Sequence, residues 1–142
     1  MKFHQFPLLT LIFLSCLAAC GNTATGKAGV TKVGTILDPE IDEASGIQAS
    51  ALNPGAWFLH NDDGKPRVFV VSEKGARLGH FDIRKASNRD WEDITSVPSD
   101  DGPLLVLADF GDNAARHKRV HLYFVQEPEP DKSGHYSGNL PI

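Results

Sequence analysis

The sequence is short of cysteine, of long apolar runs and of clustered basic residues. Its two cysteines both lie among the first 20 of 142 residues, so the body of the chain can form neither an internal disulfide nor a cysteine-based zinc site. Its 14 Lys and Arg residues are outnumbered by 18 Asp and Glu residues. That balance provides no basic stripe to displace phosphate counterions, so no nucleic acid partner is expected.

The N-terminal residues have the pattern of a secretory signal. Lys2 precedes an apolar segment at residues 8–17, and small residues follow it. This order is typical of a cleaved signal peptide, and the segment is shorter than the roughly 20 residues that span a bilayer. We expect residues 1–19 to be removed, which leaves 13 basic and 18 acidic residues and a net charge of −5.

The stretch Leu17-Ala18-Ala19-Cys20 resembles the lipobox of bacterial lipoproteins. The resemblance implies that the thiol of Cys20 is lipidated, a reaction that needs a nucleophilic thiolate, and that acyl chains hold the protein on a membrane. Because Gly21 rather than Asp follows, the resemblance favours the outer membrane of a Gram-negative cell envelope. The alternative is an ordinary cleaved signal with an incidental cysteine.

The rest of the chain predicts an all-β fold. Residues 20–33 are small and polar, as in a flexible tether, and residues 132–142 predict a loop or the start of a further strand. Between them, residues 34–131 carry short β-rich apolar stretches separated by Gly, Pro, Asn and Asp, with no helical period. Strands are predicted at 44–49, 56–61, 67–72, 77–83, 91–96, 104–109 and 120–125, with a last strand near the end of the chain.

The two halves of this domain predict an internal repeat. The matches are residues 45–47 with 92–94 and Asp62 with Asp109 at an offset of 47, then residues 68–70 with 120–122 at an offset of 52. Repeats of this length suit the four-stranded blade of a β-propeller, so the sequence predicts about two blades, an incomplete set because propellers typically have four to eight. The chain could be the first part of a longer protein, which we favour; copies could associate; or the fold could be a small β-sandwich.

Four motifs carry a family resemblance. The segments EASGI, NPGAWFLHNDDGKPRVFVVSEKG, RDWEDI and LLVLADFGDNAARHKRVHLYFVQEP, within residues 43–128, resemble the opening of a group of secreted bacterial β-propeller proteins. Their shared elements are Ser-Gly, His-Asn-Asp, Asp-Trp-Glu-Asp and Gly-Asp-Asn. The resemblance implies a propeller architecture and export from the cytoplasm, and it implies no reaction. Because members of the group are longer, the chain is expected to be a partial member.

Carboxylates crowd both ends of the apolar stretch at residues 104–108. Carboxylate and amide oxygens suit Ca²⁺, which takes six to eight oxygen ligands in proteins, whereas Asp beside Gly is also ordinary turn chemistry. Residues 63, 100 and 101 are expected to make turns. The predicted cation ligands are Asp62, Glu92, Asp93, Asp109, Asp112 and Asn113.

Aromatic and nucleophilic residues give weaker indications. Trp57 and Trp91 are expected to pack between blades, with sugar stacking as the alternative. His117 and His121 lie four apart in a stretch that predicts a strand, where they would share a face. Ser45 is expected near the propeller axis, with no histidine tied to it by a motif.

Two functions follow as hypotheses. The first is a membrane-anchored binding or scaffold module for a protein or small-molecule ligand. The alternative is a cation-dependent hydrolase, esterase-like or lactonase-like, in which the acidic cluster holds the cation. The second rests on analogy with the fold alone.

Overall fold

A computed structural model describes residues 29–142, and the compact unit within it runs from Lys32 to Ile142. The predicted signal peptide, Cys20 and most of the predicted tether lie outside the described residues. The described part is all-β and contains no helix, as predicted. Its strands are β1 (Ala44–Ala49), β2 (Ala56–Asn61), β3 (Arg67–Ser72), β4 (Arg77–Arg84), β5 (Trp91–Val97), β6 (Leu104–Asp109), β7 (His121–Gln126) and β8 (Tyr136–Pro141).

The strands form a five-stranded and a three-stranded sheet. The first sheet has the order β1-β2-β3-β4-β8, in which β8 is parallel to β4 and the other pairs are antiparallel. The second sheet is the antiparallel series β5-β6-β7. Short connections join β1 to β4 in order and β5 to β6, as expected for antiparallel neighbours, whereas the longer loop at 110–120 joins β6 to β7.

The repeat predicted from the sequence appears in the sheets with one shared irregularity. The β1–β2 ladder shifts register between Ala44 and Gly46, and the β5–β6 ladder shifts between Trp91 and Asp93. The bulged residues are therefore Ser45 and Glu92, which stand at the predicted offset of 47. Bulges re-aim side chains and are positioned features of a fold, so their coincidence supports the equivalence of β1 with β5.

Further along, the predicted alignment is wrong by one or two residues. Asp109 pairs with Trp91 as Asn61 pairs with Ala44, so Asp109 is equivalent to Asn61 and not to Asp62. Strand pairing likewise matches residues 69 and 123, an offset of 54 where 52 was predicted. The displacement at Asp109 arises before it, because the β5–β6 hairpin holds one residue more than the β1–β2 hairpin. The loop at 110–120, which is longer than its counterpart at 62–66, adds the rest, and apolar matching alone locates neither insertion.

Strand β8 departs from the prediction of two four-stranded units. It does not complete the second sheet but adds to β4, where Tyr136 lies opposite Gly79. Tyr136 is 3% exposed and meets Phe58 and Phe81 edge-on, at ring-centroid distances of 6.3 and 5.9 Å. Burial of an aromatic ring is a large apolar gain, and Gly79 permits it, because a Cβ there would lie on the Tyr136 carbonyl.

The two sheets stack with their equivalent faces pointing in the same direction. The face of the first sheet that we call the front carries Phe58, His60, Val68 and Val70. The equivalent front residues of the second sheet are Val106, Ala108, Leu122 and Phe124. We call back the opposite face, with Trp57, Leu59, Phe69 and Val71 in the first sheet and Leu105, Leu107, Tyr123 and Val125 in the second. The main core joins the front of the first sheet to the back of the second.

Candidate functional site

The chemistry-bearing side chains gather where the two sheets meet, around the two bulges. β1 and β5 lie side by side at this junction. The bulge at Ser45 turns its hydroxyl across the gap, where Oγ donates to the Trp91 carbonyl oxygen at 2.6 Å. Trp91 is fully buried, and its indole Nε1 donates to the Ser87 carbonyl at 2.9 Å. Its ring therefore has no open face for a sugar, and the packing role predicted for it matches its burial.

His60 is the buried member of this junction. It is 0% exposed, and its ring meets that of Trp91 edge-on with centroids 5.3 Å apart. Its Nδ1 lies 3.0 Å from the Asn61 carbonyl oxygen and 3.2 Å from Ser45 Oγ. A carbonyl oxygen can only accept, so Nδ1 carries a proton and donates. Burial lowers the pKa of His60 below its ordinary 6.5, because desolvation disfavours the imidazolium.

Ser45 and His60 are thus close in space but are not arranged as a nucleophile and its base. A base must accept the serine proton, whereas here the Ser45 proton points to the Trp91 carbonyl and His60 Nδ1 is itself a donor. The far nitrogen, Nε2, lies against Gly46, where a Cβ would approach within 2.6 Å. Glycine is therefore required at position 46, next to this histidine. The hydrogen bonds of Ser45 and His60 stabilise the junction between the two sheets.

The position in the second sheet that is equivalent to Asn61 holds a buried carboxylate. Asp109 is 0% exposed, and its Oδ1 accepts from the Asp90 backbone N–H at 3.1 Å. Arg89 Nε and His121 Nδ1 each lie 3.5 Å from a carboxylate oxygen. Arg89 also donates to the backbone oxygens of Asp109 and Arg119. Asp109 and Arg89 therefore hold the 110–120 loop onto the strand ends, a structural role that leaves the carboxylate closed to solvent.

An acidic triad lies near the end of β2. Glu43, Asp62 and Asp63 place carboxylate oxygens within 4.8 Å of one another. The charges of Asp62 and Asp63 raise the pKa of Glu43, because like charges disfavour its ionisation. Oδ1 of Asp62 is buried without a hydrogen-bond partner among the described residues. Within residues 29–142 this triad is the group of three acids with the spacing to hold a metal ion.

Of the six predicted cation ligands, the structure brings only Asp62 into this triad. Asp112 is used by its loop: its two oxygens accept from the backbone N–H groups of Arg116 and His117 at 2.8 and 2.7 Å, which lowers its pKa. Asp93 accepts from the N–H of Ile94. Three further predicted ligands lie away from the triad, with Glu92 in the β5 bulge, Asp109 in its buried pocket and Asn113 exposed on the 110–120 loop.

Two residues of the triad escaped the sequence analysis. Glu43 was not singled out, and Asp63 was expected to make a turn, because both stand outside the repeat equivalences. They meet Asp62 through backbone pairing, in which the Asp62 N–H donates to the Glu43 carbonyl at 3.0 Å. His117 was expected to share a strand with His121, but it lies in the loop before β7.

The front of the second sheet is open and apolar along β7. Leu122 and Phe124 are 54% and 49% exposed, whereas Ala108 and Val106, their cross-strand neighbours on β6, are buried. β7 is also the last strand of its sheet, and it carries no Lys, Pro or Gly. Natural sheets usually blunt such an edge with charge, proline or a bulge, so an uncovered edge beside an apolar face indicates an interaction surface.

The back of the first sheet is partly covered by a strap, which we define as residues 34–41. Its Ile36 and Ile41 pack on Leu59, Phe69 and Val71. Beside the strap runs an apolar groove of about 670 Å³. Ile47 and Trp57 contribute to its walls, and Ile47 is 58% exposed.

Comparison with known proteins finds no relative of this chain. No protein-family profile, curated protein or solved structure matches the chain. Across residues 29–142 we find no helix with the length and apolar character needed to cross a bilayer.

Proposed function

We propose that the chain is a lipid-anchored protein of the bacterial cell envelope that presents a β-propeller-type binding or scaffold module. The propeller assignment is supported by the front-to-back stacking of the two sheets. Propeller blades repeat around an axis, so each presents the same face to its neighbour. A sandwich built on two equivalent sheets related by a two-fold axis would instead bring like faces together.

A binding role is carried by one observation, the open front of the second sheet. Val68 and Val70 are fully buried on the front of the first sheet, whereas their equivalents Leu122 and Phe124 are about half exposed. Contiguous apolar surface of this kind marks sites where proteins associate. The second sheet therefore exposes the same kind of apolar face that the first sheet buries in the core.

The hydrolase alternative has less support from the described residues. It requires carboxylates that converge on one cation, and five of the six predicted ligands lie apart from the acidic triad. Asp112 is engaged by loop N–H groups, and Ser45 donates its proton to a carbonyl. The polar groups at the sheet junction thus hold the fold together.

The binding role can be tested in whole cells by photo-crosslinking. A benzophenone amino acid replaces Phe124 in one strain and exposed Glu129 in a control strain. We expect a discrete adduct from position 124 and none of that mass from position 129. Failure to form any adduct at 124 would contradict the binding role.

The anchor needs its own test, because it rests on the sequence alone. Cys20→Ser removes the thiol that would carry the lipid, so we expect the variant to move from the membrane fraction to the soluble fraction. The lipidated protein should also carry the added mass of acyl chains. Membrane retention of Cys20→Ser would argue against the anchor and leave the binding role intact.

A further inference from the structure

The open front of the second sheet repeats a surface whose partner is already visible in this molecule. On the first sheet the front residues Phe58, Val68 and Val70 are 0% exposed because the back of the second sheet covers them. Leu122 and Phe124 occupy the positions of Val68 and Val70 on the second sheet. The complement of a front face is therefore the back face of a sheet of the same kind.

The chain itself carries a second back face. On the first sheet, Leu59, Phe69 and Val71 are covered by the strap, and Ile47 and Trp57 border the groove beside it. These positions correspond to Leu107, Tyr123, Val125, Ile94 and Leu105, the residues that receive the first sheet in the core. One molecule thus offers both halves of the contact, an open front at one end and a capped back at the other.

We propose that the occupant of the open front is a second copy of this chain, which docks the back of its first sheet there after its strap moves aside. The proposal rests on the binding role above and names its partner. The contact continues the interface between the two sheets, with the same faces and the same direction of stacking.

Such a contact is heterologous, since two different surfaces meet, and heterologous contacts close into rings when the rotation allows. Each copy contributes two sheets. Because propellers typically close with four to eight blades, about two to four copies would complete one.

The strap is held by contacts that can be exchanged. Its apolar anchors are Ile36 and Ile41, both only partly buried, and Arg77 pairs with Asp38 and Glu40 near the surface. The Arg77–Glu40 pair is exposed and contributes little stability, whereas the Arg77–Asp38 pair is partly buried and is the stronger link. The strap also crosses the β3–β4 turn so closely that a Cβ on Gly34 would lie 2.3 Å from the Lys74 carbonyl oxygen. Gly34→Ala should therefore unseat the strap without changing either contact face.

Sedimentation velocity of the full mature chain in mild detergent, over a range of concentrations, tests the proposal. We expect concentration-dependent association that Phe124→Asp on the front and Ile47→Asp on the back each weaken at least about tenfold. Ile142→Asp is the matched control, because Ile142 is 54% exposed and follows the end of β8, outside the strands that form the two contact faces. A wild-type chain that stays monomeric at all concentrations overturns the proposal.

Mixing the two variants separates this arrangement from a symmetric one. A chain with Phe124→Asp retains an intact back, and a chain with Ile47→Asp retains an intact front. Together they should form a one-to-one dimer and nothing larger. Association of Ile47→Asp with itself at wild-type strength would show front-to-front contact and would overturn the proposal.

Gly34→Ala, with Asp38→Asn as a second way to loosen the strap, should strengthen association, because the back face is then free. If both variants fold, as judged by circular dichroism, and associate no more than wild type, strap displacement is wrong.

The crosslinking experiment keeps the two proposals distinct. An adduct of twice the chain mass supports the second copy, whereas an adduct with another protein overturns it and preserves the binding role.

Discussion

The two sheets are built on one repeat but are covered differently. The first sheet is buried on its front by the second sheet and shielded on its back by the strap. The second sheet is buried on its back and leaves Leu122 and Phe124 open on its front. A repeat supplies the same apolar faces to every copy, and the neighbours decide which face stabilises the fold and which remains available for binding.

The largest effect should come from matched phenylalanines on the two fronts. Phe58→Ala removes a fully buried ring and should lower the free energy of unfolding by about 4 kcal/mol. Phe124→Ala, on the open front, should change the monomer by less than about 0.5 kcal/mol. Urea unfolding at low protein concentration measures both. Equal losses would remove the contrast between the two fronts.

The second prediction concerns the link between the sheets after β7. Glu127 is 3% exposed, and its carboxylate accepts from the Ser50 hydroxyl and from the N–H groups of Ala51 and Leu52. Glu127→Gln keeps the shape but loses the charge, so it should cost about 2 kcal/mol in the free energy of unfolding. Glu129→Gln, at an exposed position, is the control. An unchanged stability in Glu127→Gln would mean that this link does not hold the sheets together.

The third prediction is a pH dependence from His60 at the sheet junction. The pKa of His60 in the folded protein lies below its ordinary 6.5. At pH values between these two pKa values the unfolded chain binds more protons than the folded chain, so the free energy of unfolding falls as pH falls. The slope from one such group is at most about 1.4 kcal/mol per pH unit. His80, whose pKa is lowered by burial and nearby Arg67 and Arg77, has the same sign.

The contribution of His60 is isolated by comparing slopes. His60→Gln should flatten the fall in unfolding free energy below pH 6.5, whereas His80→Gln should leave most of it. Chemical unfolding at a series of pH values supplies the slopes. A slope in His60→Gln equal to that of wild type would place the titrating group elsewhere.

The smallest effect concerns calcium, which stays a prediction. If Ca²⁺ binds, the acidic triad is the site we expect, and millimolar Ca²⁺ should raise the melting temperature slightly, since a ligand of the native state stabilises it. Asp62→Asn should remove the rise, and Asp112→Asn should retain it, because the Asp112 carboxylate is engaged by its loop. A rise that Asp62→Asn retains and Asp112→Asn removes would favour the ligand set predicted from the sequence. If millimolar Ca²⁺ does not raise the melting temperature at all, the calcium prediction is wrong.

The strands were predictable because their signals are local. Alternating apolar residues and Gly, Pro, Asn and Asp turns place seven strands within a residue of their observed bounds. The sheet to which β8 belongs was not predictable, since it depends on where the Tyr136 ring finds a pocket. A run such as YSGNLP carries no such signal.

The candidate site was less predictable than the fold for a related reason. The contacts among Ser45, His60 and Trp91 depend on a bulge and on the stacking of two sheets, and neither leaves a fixed spacing in the sequence. Asp109 was correctly predicted to end its strand, but its repeat partner is Asn61 and not Asp62, and its burial was not predicted. Density of carboxylates thus indicated turns and strand ends more than a shared ligand set.

Methyl NOEs in the folded monomer can test whether the repeats stack front to back. Such stacking predicts NOEs that link Val68 and Val70 on the first sheet to the back set of Leu105, Leu107 and Val125 on the second. NOEs from Val68 or Val70 to Val106 or Leu122 would instead bring two fronts together, and would contradict it.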